Sequence, residues 1–219
     1  MMKFFYKKES DFFIFFKNDR QILTQKKFPL LAQCENHSKK IIQQISDKKK
    51  SPYSILSLSF FSSDLDLGDR KDIILKISKF LESDTILFRN FDDTELLNIM
   101  DMRYKDYISQ FVKKFNINLK ILNNFNESNK VSKKNNFSSY LSTLNNFSLT
   151  AIYKLCCITN SVILSYFFLD KKINYKELFD LVNIENKFQQ NIWGYVDEQK
   201  KIDSDLLKIF SDISLFLKI

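Results

Sequence analysis

The chain has 219 residues, of which 44% are hydrophobic and 27% are charged, and its formal net charge at pH 7 is +8. This length and balance predict a globular protein with one or two domains and its own hydrophobic core. One histidine (His37) and two glycines (Gly68 and Gly194) argue against histidine-dependent catalysis, histidine-rich metal sites and glycine-rich phosphate loops, so we expect no enzyme and no bound cofactor.

The N-terminal region combines strand and helix patterns. Residues 11–24 predict a β-hairpin, because its strands are apolar and Asn18 and Asp19 tolerate the positive φ of a tight turn. Residues 35–46 predict a short helix with isoleucines on one face. In residues 51–63, serine alternates with larger side chains, which predicts a further strand.

The change of hydrophobic period along the chain predicts two domains. Residues 1–66 are expected to form a small N-terminal α/β domain with a β-hairpin. From Asp69 the apolar residues follow a helical period, and residues 67–219 are expected to form a mostly α-helical C-terminal domain. The predicted fold class is α+β.

Several elements are predicted in the middle of the chain. A capping box of Asp92 and Glu95 predicts a helix with Asp92 as its N-cap that runs toward Phe115. The sequence further predicts a helix from Asp69, an extended segment over residues 84–90, a strand over 116–122 and a polar loop over 123–136.

Three helices are predicted after the polar loop. The first covers about residues 138–169 and is expected to break near Asn145. The second covers residues 174–193 and opens with a capping box of Asn174 and Glu177. The last is an amphipathic segment over residues 206–217.

The second of these helices carries our candidate partner-binding residues, which are Glu185, Gln189 and Trp193. On a helical wheel Glu185 falls near the centre of an apolar face, with Gln189 beside it. That face comprises Leu178, Leu181, Val182, Ile184, Phe188 and Ile192. A carboxylate there is costly unless it is paired or solvated, so Glu185 either pairs within the fold or meets a partner. Trp193 is either a core residue or an interface anchor, and Gly194 stops the helix.

The basic charge has two interpretations. Residues 1–50 contain 12 basic and 5 acidic residues and so carry +7 of the net +8. This is typical either of a solvated, lysine-rich surface or of a protein that binds RNA or an anionic membrane. Arginine, which reads base edges, is scarce. Residues 149–169 are long enough to span a bilayer, but Lys154 and Asn160 favour a buried helix instead.

The C-terminal half resembles a known family. A long helix, a short turn, an acidic residue and then aromatic–Gln–x–x–x–Trp–Gly resemble the ATP synthase assembly chaperones of the ATP-twelve type. The residues of this signature are Glu185, Phe188, Gln189, Trp193 and Gly194. Asn186 stands where the family has a second acid.

The N-terminal half is similar to the same family. The matching residues there are Phe5-Tyr6, Asn18-Asp19, Arg20, Thr24 and Pro29-Leu30. Glu82, Asp84, Phe88 and Arg89 follow the family's Glu–x–Asp–x–x–x–aromatic–Arg pattern. The family's usual Asp-Gly turn is Asn-Asp here, and its Pro-Leu-Thr-Arg run is poorly kept. The resemblance nevertheless covers nearly the whole chain in order.

The resemblance implies an assembly chaperone for the catalytic head of F-type ATP synthase. Members of the family bind the free α subunit and keep it competent until β subunits take its place, without catalysis or a cofactor. We accordingly expect the ATP synthase α subunit as partner, no nucleic-acid partner, no stable membrane insertion and a monomer when free. The alternative is a basic RNA- or membrane-associated binding protein.

Two features bear on the compartment. The three cysteines, an odd number, predict reduced thiols in a cytosol-like environment. The family-like part begins by Lys3, which leaves no room for a transit peptide before it. The sequence therefore predicts a bacterial cytoplasmic protein, with the mitochondrial matrix as the alternative.

Overall fold

The structure is a computed structural model, and it describes residues 3–45, 51–124, 126–132 and 134–218. In this part of the chain, four short strands form one antiparallel sheet. They are β1 (Phe4–Glu9), β2 (Phe12–Lys17), β3 (Arg20–Gln21) and β4 (Leu31–Ala32). Strand β2 pairs with the other three.

The predicted hairpin is confirmed. Lys17 of β2 pairs with Arg20 of β3, and the two turn residues, Asn18 and Asp19, have φ values of 45° and 64°. The sequence did not predict a second hairpin, in which β1 runs antiparallel to β2. Its turn follows Glu9 and uses Ser10 at a φ of 53°.

Helices make up most of the remaining described residues, which confirms the α+β class. They are α1 (Glu35–Ile45), α2 (Ile55–Asp64), α3 (Leu67–Glu82), α4 (Thr94–Phe115), α5 (Asn136–Thr143), α6 (Asn146–Thr159), α7 (Val162–Leu169), α8 (Tyr175–Val182), α9 (Ile184–Trp193) and α10 (Asp197–Leu217), with a 3₁₀ turn at Thr85–Leu87.

The strand predicted over residues 51–63 is wrong, because this segment contains helix α2. Ser54 is the N-cap of α2, and its side chain accepts a hydrogen bond from the backbone N–H of Ser57. The buried residues of α2 are Ile55, Leu56, Leu58, Ser59 and Ser62. The hydroxyls of Ser59 and Ser62 donate to backbone carbonyl oxygens of the helix, which allows these serines to be buried, so the alternation of serine with larger residues did not mark a strand.

Three predictions in the middle of the chain also need correction. The N-cap of α4 is Asp93 rather than Asp92, although the helix does run to Phe115. Residues 116–122 do not form a strand, since pairing there is a single bridge between Leu122 and Phe88. The segment predicted as extended, residues 84–90, contains the 3₁₀ turn.

Each of the two long helices predicted near the C-terminus is interrupted. The first is three helices, α5 to α7, with the expected break at Asn145 and another at Asn160, whose φ is 49°. The second begins with the expected capping box of Asn174 and Glu177 but stops at Asn183, which separates α8 from α9.

The buried apolar residues fall into two clusters. The smaller one lies between the sheet, α1 and α2, and contains Phe15, Leu30, Ala32, Ile41, Ile55 and Leu56. The larger one lies among the other helices and also includes Leu58 of α2. Helix α2 contributes to both clusters, and the domain boundary at residue 66 stays a prediction. None of the helices in the described ranges combines the length and apolar character needed to cross a bilayer.

Candidate functional site

The direction of α9 is set at Asn183, a buried residue. Its side-chain amide donates to the carbonyl oxygen of Phe179 at 2.9 Å, and its Oδ1 accepts from Nδ2 of Asn186 at 3.1 Å. This local hydrogen bonding separates α8 from α9, so a wheel drawn for one continuous helix does not apply beyond Asn183. Glu185, placed by that wheel in an apolar face, is in fact exposed.

The three predicted partner-binding residues lie on successive turns of α9. A spacing of four residues places Glu185, Gln189 and Trp193 along one side of the helix. The Gln189 Nε2 donates to Glu185 Oε1 at 3.2 Å, and no lysine or arginine among the described residues forms an ion pair with Glu185. A lysine partner, one form of the internal pairing expected for Glu185, is therefore not found among the described residues.

Trp193 is the last residue of α9, and 83% of its surface is exposed. The interpretation of Trp193 as a core residue is therefore wrong. Ile192 beside it, which the sequence placed on the apolar face, is 55% exposed. An exposed tryptophan is unusual, because the indole then leaves a large apolar area in contact with water. A partner that covered the indole would bury this area.

Further exposed apolar residues continue from Trp193 into the start of α10. We name this group of exposed apolar residues, which are close together in sequence, the apolar ridge. It consists of Ile192, Trp193, Tyr195, Val196 and Ile202. The sequence did not predict a role for the last three. The available signal was a group of apolar side chains in residues 195–202 that belonged to no predicted helix.

Gly194 makes the sharp connection between α9 and α10. Its N–H donates to the carbonyl oxygen of Gln190 at 2.9 Å, and its φ and ψ are 89° and 166°. This conformation is accessible essentially to glycine alone. Nothing lies within 4 Å of the position that a Cβ would occupy, so the backbone conformation, rather than crowding, requires glycine here. The predicted helix stop is confirmed.

A buried carboxylate, that of Asp203, holds this connection in place. It accepts hydrogen bonds from the Tyr195 hydroxyl at 2.7 Å, from Gln199 Nε2 at 2.8 Å and from Gln190 Nε2 at 3.4 Å. These donors lie on α9, on the connector and on α10. The hydrogen bond to Asp203 raises the pKa of Tyr195. Because the connector is ordered before any partner arrives, less conformational entropy is lost on binding.

Polar and charged groups flank the apolar ridge. Lys200 Nζ forms an ion pair with Asp197 at 2.8 Å and lies 5.7 Å from the centroid of the Tyr195 ring. A cleft of about 220 Å³ borders α9, with Arg103 of α4 and Lys187 among its lining residues. Lys187 forms an ion pair with Asp180. An apolar centre with a polar border is the usual composition of a protein-binding surface.

Asp84, one of the family-like residues, has a structural position in the interior. Its carboxylate accepts hydrogen bonds from the backbone N–H groups of Val162 at 2.7 Å, Ile163 at 2.9 Å and Ile86 at 3.2 Å. Burial raises its pKa to about 6, against the opposing effect of these hydrogen bonds. Asp84 thus joins the 3₁₀ turn to the first turn of α7 and is not available to a partner.

The side chain of Arg89, another family-like residue, is only 7% exposed. Its Nε donates to Asp101 Oδ1 at 2.7 Å, and its Nη1 donates to the carbonyl oxygens of Ile86 and Phe88 at 2.9 and 2.8 Å. It thus ties α4 to the 3₁₀ turn. The described residues contain no group of three or more His, Cys, Asp or Glu side chains arranged to hold a metal ion.

Comparison with solved structures identifies the fold. Atp12 from Paracoccus denitrificans matches with a TM-score of 0.78 over 98% of this chain and 94% of that chain, at 16% sequence identity. The chain has the Atp12 fold. A mutant of the same Paracoccus protein matches with a TM-score of 0.75 at 17% identity, over 98% of this chain and 94% of that one.

The Atp12 fold is also shared by an Agrobacterium tumefaciens protein described in tentative terms as a chaperone. It matches with a TM-score of 0.81 over 98% of this chain and 83% of that chain, at 15% identity. No family model matches this sequence. No curated protein matches it either. At such low identities the likeness to Atp12 is one of fold.

Proposed function

We propose that this chain is an assembly chaperone for the catalytic head of F-type ATP synthase. In this proposal it binds the free α subunit through the apolar ridge and shields an apolar interface of that subunit until β takes its place. The Atp12 fold and the sequence signature around Glu185 support the proposal. The observation that carries it is the 83% exposure of Trp193, at the position where the sequence resembles the chaperone family.

The physical basis of the proposal is the burial of apolar surface that would otherwise aggregate. An unassembled ring subunit exposes the apolar surface that its neighbours cover in the complete ring. Trp193 is suited to cover part of it, since tryptophan is enriched among the residues that dominate binding energy. Gln189 and Glu185 would form a polar border one and two turns, respectively, away from Trp193 on α9.

No catalytic step is part of the proposal, because release follows from competition. The β subunit must bind the α subunit more tightly than the chaperone does, and each difference of about 1.4 kcal/mol changes the ratio of the two complexes tenfold. We further propose that the protein acts in a bacterial cytoplasm and is a monomer when free. The bacterial origin of the solved structures with the Atp12 fold supports the first of these statements.

Co-expression of the chain with an ATP synthase α subunit tests the proposal, with the β subunit in a parallel experiment. We expect a stoichiometric complex with α alone that persists at moderate salt in size-exclusion chromatography. Trp193→Ala should weaken this complex about 30-fold, the loss typical of a truncated hot spot. Leu67→Ala is the matched control, because Leu67 is 78% exposed but lies at the start of α3.

Two outcomes would contradict the proposal. One is the absence of any complex with α, and the other is equal weakening by the Trp193 and Leu67 substitutions. The alternative from the sequence, a basic RNA- or membrane-associated protein, has its own indicator. Binding to RNA or heparin that falls steeply as salt rises would support that alternative.

A further inference from the structure

A second surface of the protein is a groove of about 810 Å³ that does not involve α9 or α10. It lies between the loop that follows β3 and helices α2, α3 and α6. Its apolar lining includes Leu23, Phe60, Phe61, Ile73 and Tyr153. This volume accommodates several side chains of a bound segment.

Lys154 of α6 lines the groove and is only partly exposed. Its Nζ lies 4.4 Å from the centroid of the Phe61 ring and 5.8 Å from that of Tyr153. No carboxylate in the described chain lies within 4.0 Å of it. Burial lowers the pKa of Lys154 from its ordinary value. An ammonium that is partly removed from water without a counter-ion favours the approach of an anion.

The aspartates of the groove are engaged elsewhere or exposed. Asp69 forms an ion pair with Lys26, and Asp64 Oδ1 accepts from the backbone N–H of Lys26 at 3.0 Å. Asp72 is exposed to solvent. These contacts of Lys26 also fix the loop after β3 against α2 and α3. The loop after β3, which forms one wall of the groove, is thus held in place. Lys154 has no ion pair with any carboxylate of the described residues.

We propose that this groove binds a segment of a partner polypeptide that carries a glutamate or aspartate beside apolar residues. The carboxylate of that segment pairs with the Lys154 ammonium, and the adjacent apolar side chains contact Phe61, Tyr153 and Leu23. The occupant is a polypeptide rather than a small anion, because a small anion would leave the apolar lining in water. This inference does not depend on the identity of the client proposed above.

Selection of peptides on the full chain tests this inference. A phage-displayed library of random 12-residue peptides is selected on the unchanged protein and counter-selected on the Lys154→Met variant. We expect the enriched peptides to contain an acidic residue next to apolar ones. One such peptide is then synthesised with a fluorescent label, together with a version in which glutamine or asparagine replaces the acidic residue. Fluorescence anisotropy measures the affinity of both.

The expected changes in affinity separate Lys154 from other lysines. Lys154→Met and the amide version of the peptide should each weaken binding about tenfold, and Lys154→Arg should restore part of the affinity. Lys7→Met is the matched control. Lys7 Nζ also lies over two rings, those of Phe5 and Phe16 at 5.7 and 5.3 Å, but Lys7 is on β1 and does not line the groove. It should leave binding unchanged, as should Trp193→Ala.

Several results would overturn the inference. They are failure to enrich any peptide that discriminates against Lys154→Met, equal losses from Lys154→Met and Lys7→Met, and displacement of the peptide by millimolar inorganic phosphate alone. Lys154→Met should fold, because replacing a partly buried, unpaired charge with an apolar chain is seldom destabilising. If it does not fold, two affinities still test the inference: that of Lys154→Arg for the peptide, and that of the unchanged protein for the amide version. No ATP synthase subunit is present, so failure here is distinct from failure of the proposed function.

Discussion

The Tyr195 hydroxyl donates to the carboxylate of Asp203 at 2.7 Å, and this hydrogen bond joins the connector after Trp193 to the body of α10. Asp203 is buried, whereas the apolar side chains beside Tyr195 are exposed. A polar anchor in the interior thus supports an apolar surface on the outside. The position of Trp193 thus depends in part on Asp203, which is buried beneath the apolar ridge.

The first prediction concerns this anchor. Asp203→Ala removes the acceptor of three hydrogen bonds and should lower the free energy of unfolding by about 1–3 kcal/mol. It should also increase amide hydrogen exchange in residues 190–199 more than elsewhere. Asp205→Ala, an exposed neighbour on α10, is the control. Uniform exchange changes along the chain would show that Asp203 does not hold the connector locally.

The second prediction concerns the charge of Glu185. Glu185→Lys should weaken the complex with the α subunit about tenfold by reversing a charge at the border of the contact. The melting temperature should change little, because Glu185 is exposed and its hydrogen bond is to the side chain of Gln189. Isothermal titration and thermal denaturation measure the two quantities. Glu9→Lys on β1 makes the same change of charge far along the sequence and should leave the complex intact.

If Glu185→Lys reduced the melting temperature and the affinity together, Glu185 would have a structural role instead. An unchanged affinity with an unchanged melting temperature would remove Glu185 from the contact region. In that second case the apolar ridge could still bind the client through Trp193 alone.

The third prediction concerns Gly194. Gly194→Ala places a Cβ on a residue with φ at 89° and ψ at 166°, which should destabilise the protein by about 1–3 kcal/mol. Urea denaturation measures the change. Gly68→Ala is the comparison, because Gly68 lies within α3 at an ordinary helical φ and its Cβ would meet Asp66 Oδ1 at 3.2 Å. A smaller loss at Gly194 than at Gly68 would contradict the conformational argument.

The fourth prediction concerns the buried His37. Its Nε2 lies 2.7 Å from Ser59 Oγ, and its ring meets those of Phe147 and Phe216 edge-on. Burial, with a smaller contribution from the charge of Lys218, lowers the pKa of His37 from 6.5 to about 4. Between these two values the unfolded chain binds a proton that the folded chain does not. The neutral, buried His37 therefore makes its full contribution to the free energy of unfolding above pH 6.5. This contribution is lost as the pH falls toward 4.

The size of this effect is about 3 kcal/mol, from about 1.4 kcal/mol per pKa unit. Asp84 acts in the opposite direction, because its raised pKa of about 6 means that the folded chain binds a proton there as the pH falls. The contribution of His37 is therefore measured as the difference in unfolding free energy between the unchanged protein and a variant that lacks His37. Urea denaturation of the unchanged protein and of His37→Gln between pH 7 and 4 should give curves that converge toward acid. Parallel curves would show that His37 titrates normally in the folded protein.

The sequence predicted those elements whose signal is local. The turn at Asn18 and Asp19, the capping box of Asn174 and Glu177, and the stop at Gly194 each depend on a few adjacent residues, and the structure confirms all three. Helix α2 was mistaken for a strand because its burial is set by the elements around it. The breaks at Asn160 and Asn183 were missed because apolar residues continue at helical spacing on both sides of each asparagine.

The candidate site was predicted in part. Glu185, Gln189 and Trp193 do lie along one exposed side of α9, yet the wheel that suggested Glu185 assumed a continuous helix. Exposure depends on which neighbours pack against a segment, and no pattern within the segment encodes that. The same reason explains why Tyr195 and Val196 were overlooked.

The shared position of α2 has a thermodynamic consequence. Leu56 packs with the sheet and Leu58 with the large helical cluster, from nearly opposite sides of one helix. If heating detached the sheet, α2 would lose the packing contacts on the side of Leu56. The packing of Leu58 against the large cluster would then be weakened as well. The two halves are therefore coupled, and a scanning calorimeter should record one endotherm for the whole molecule rather than a small peak followed by a large one.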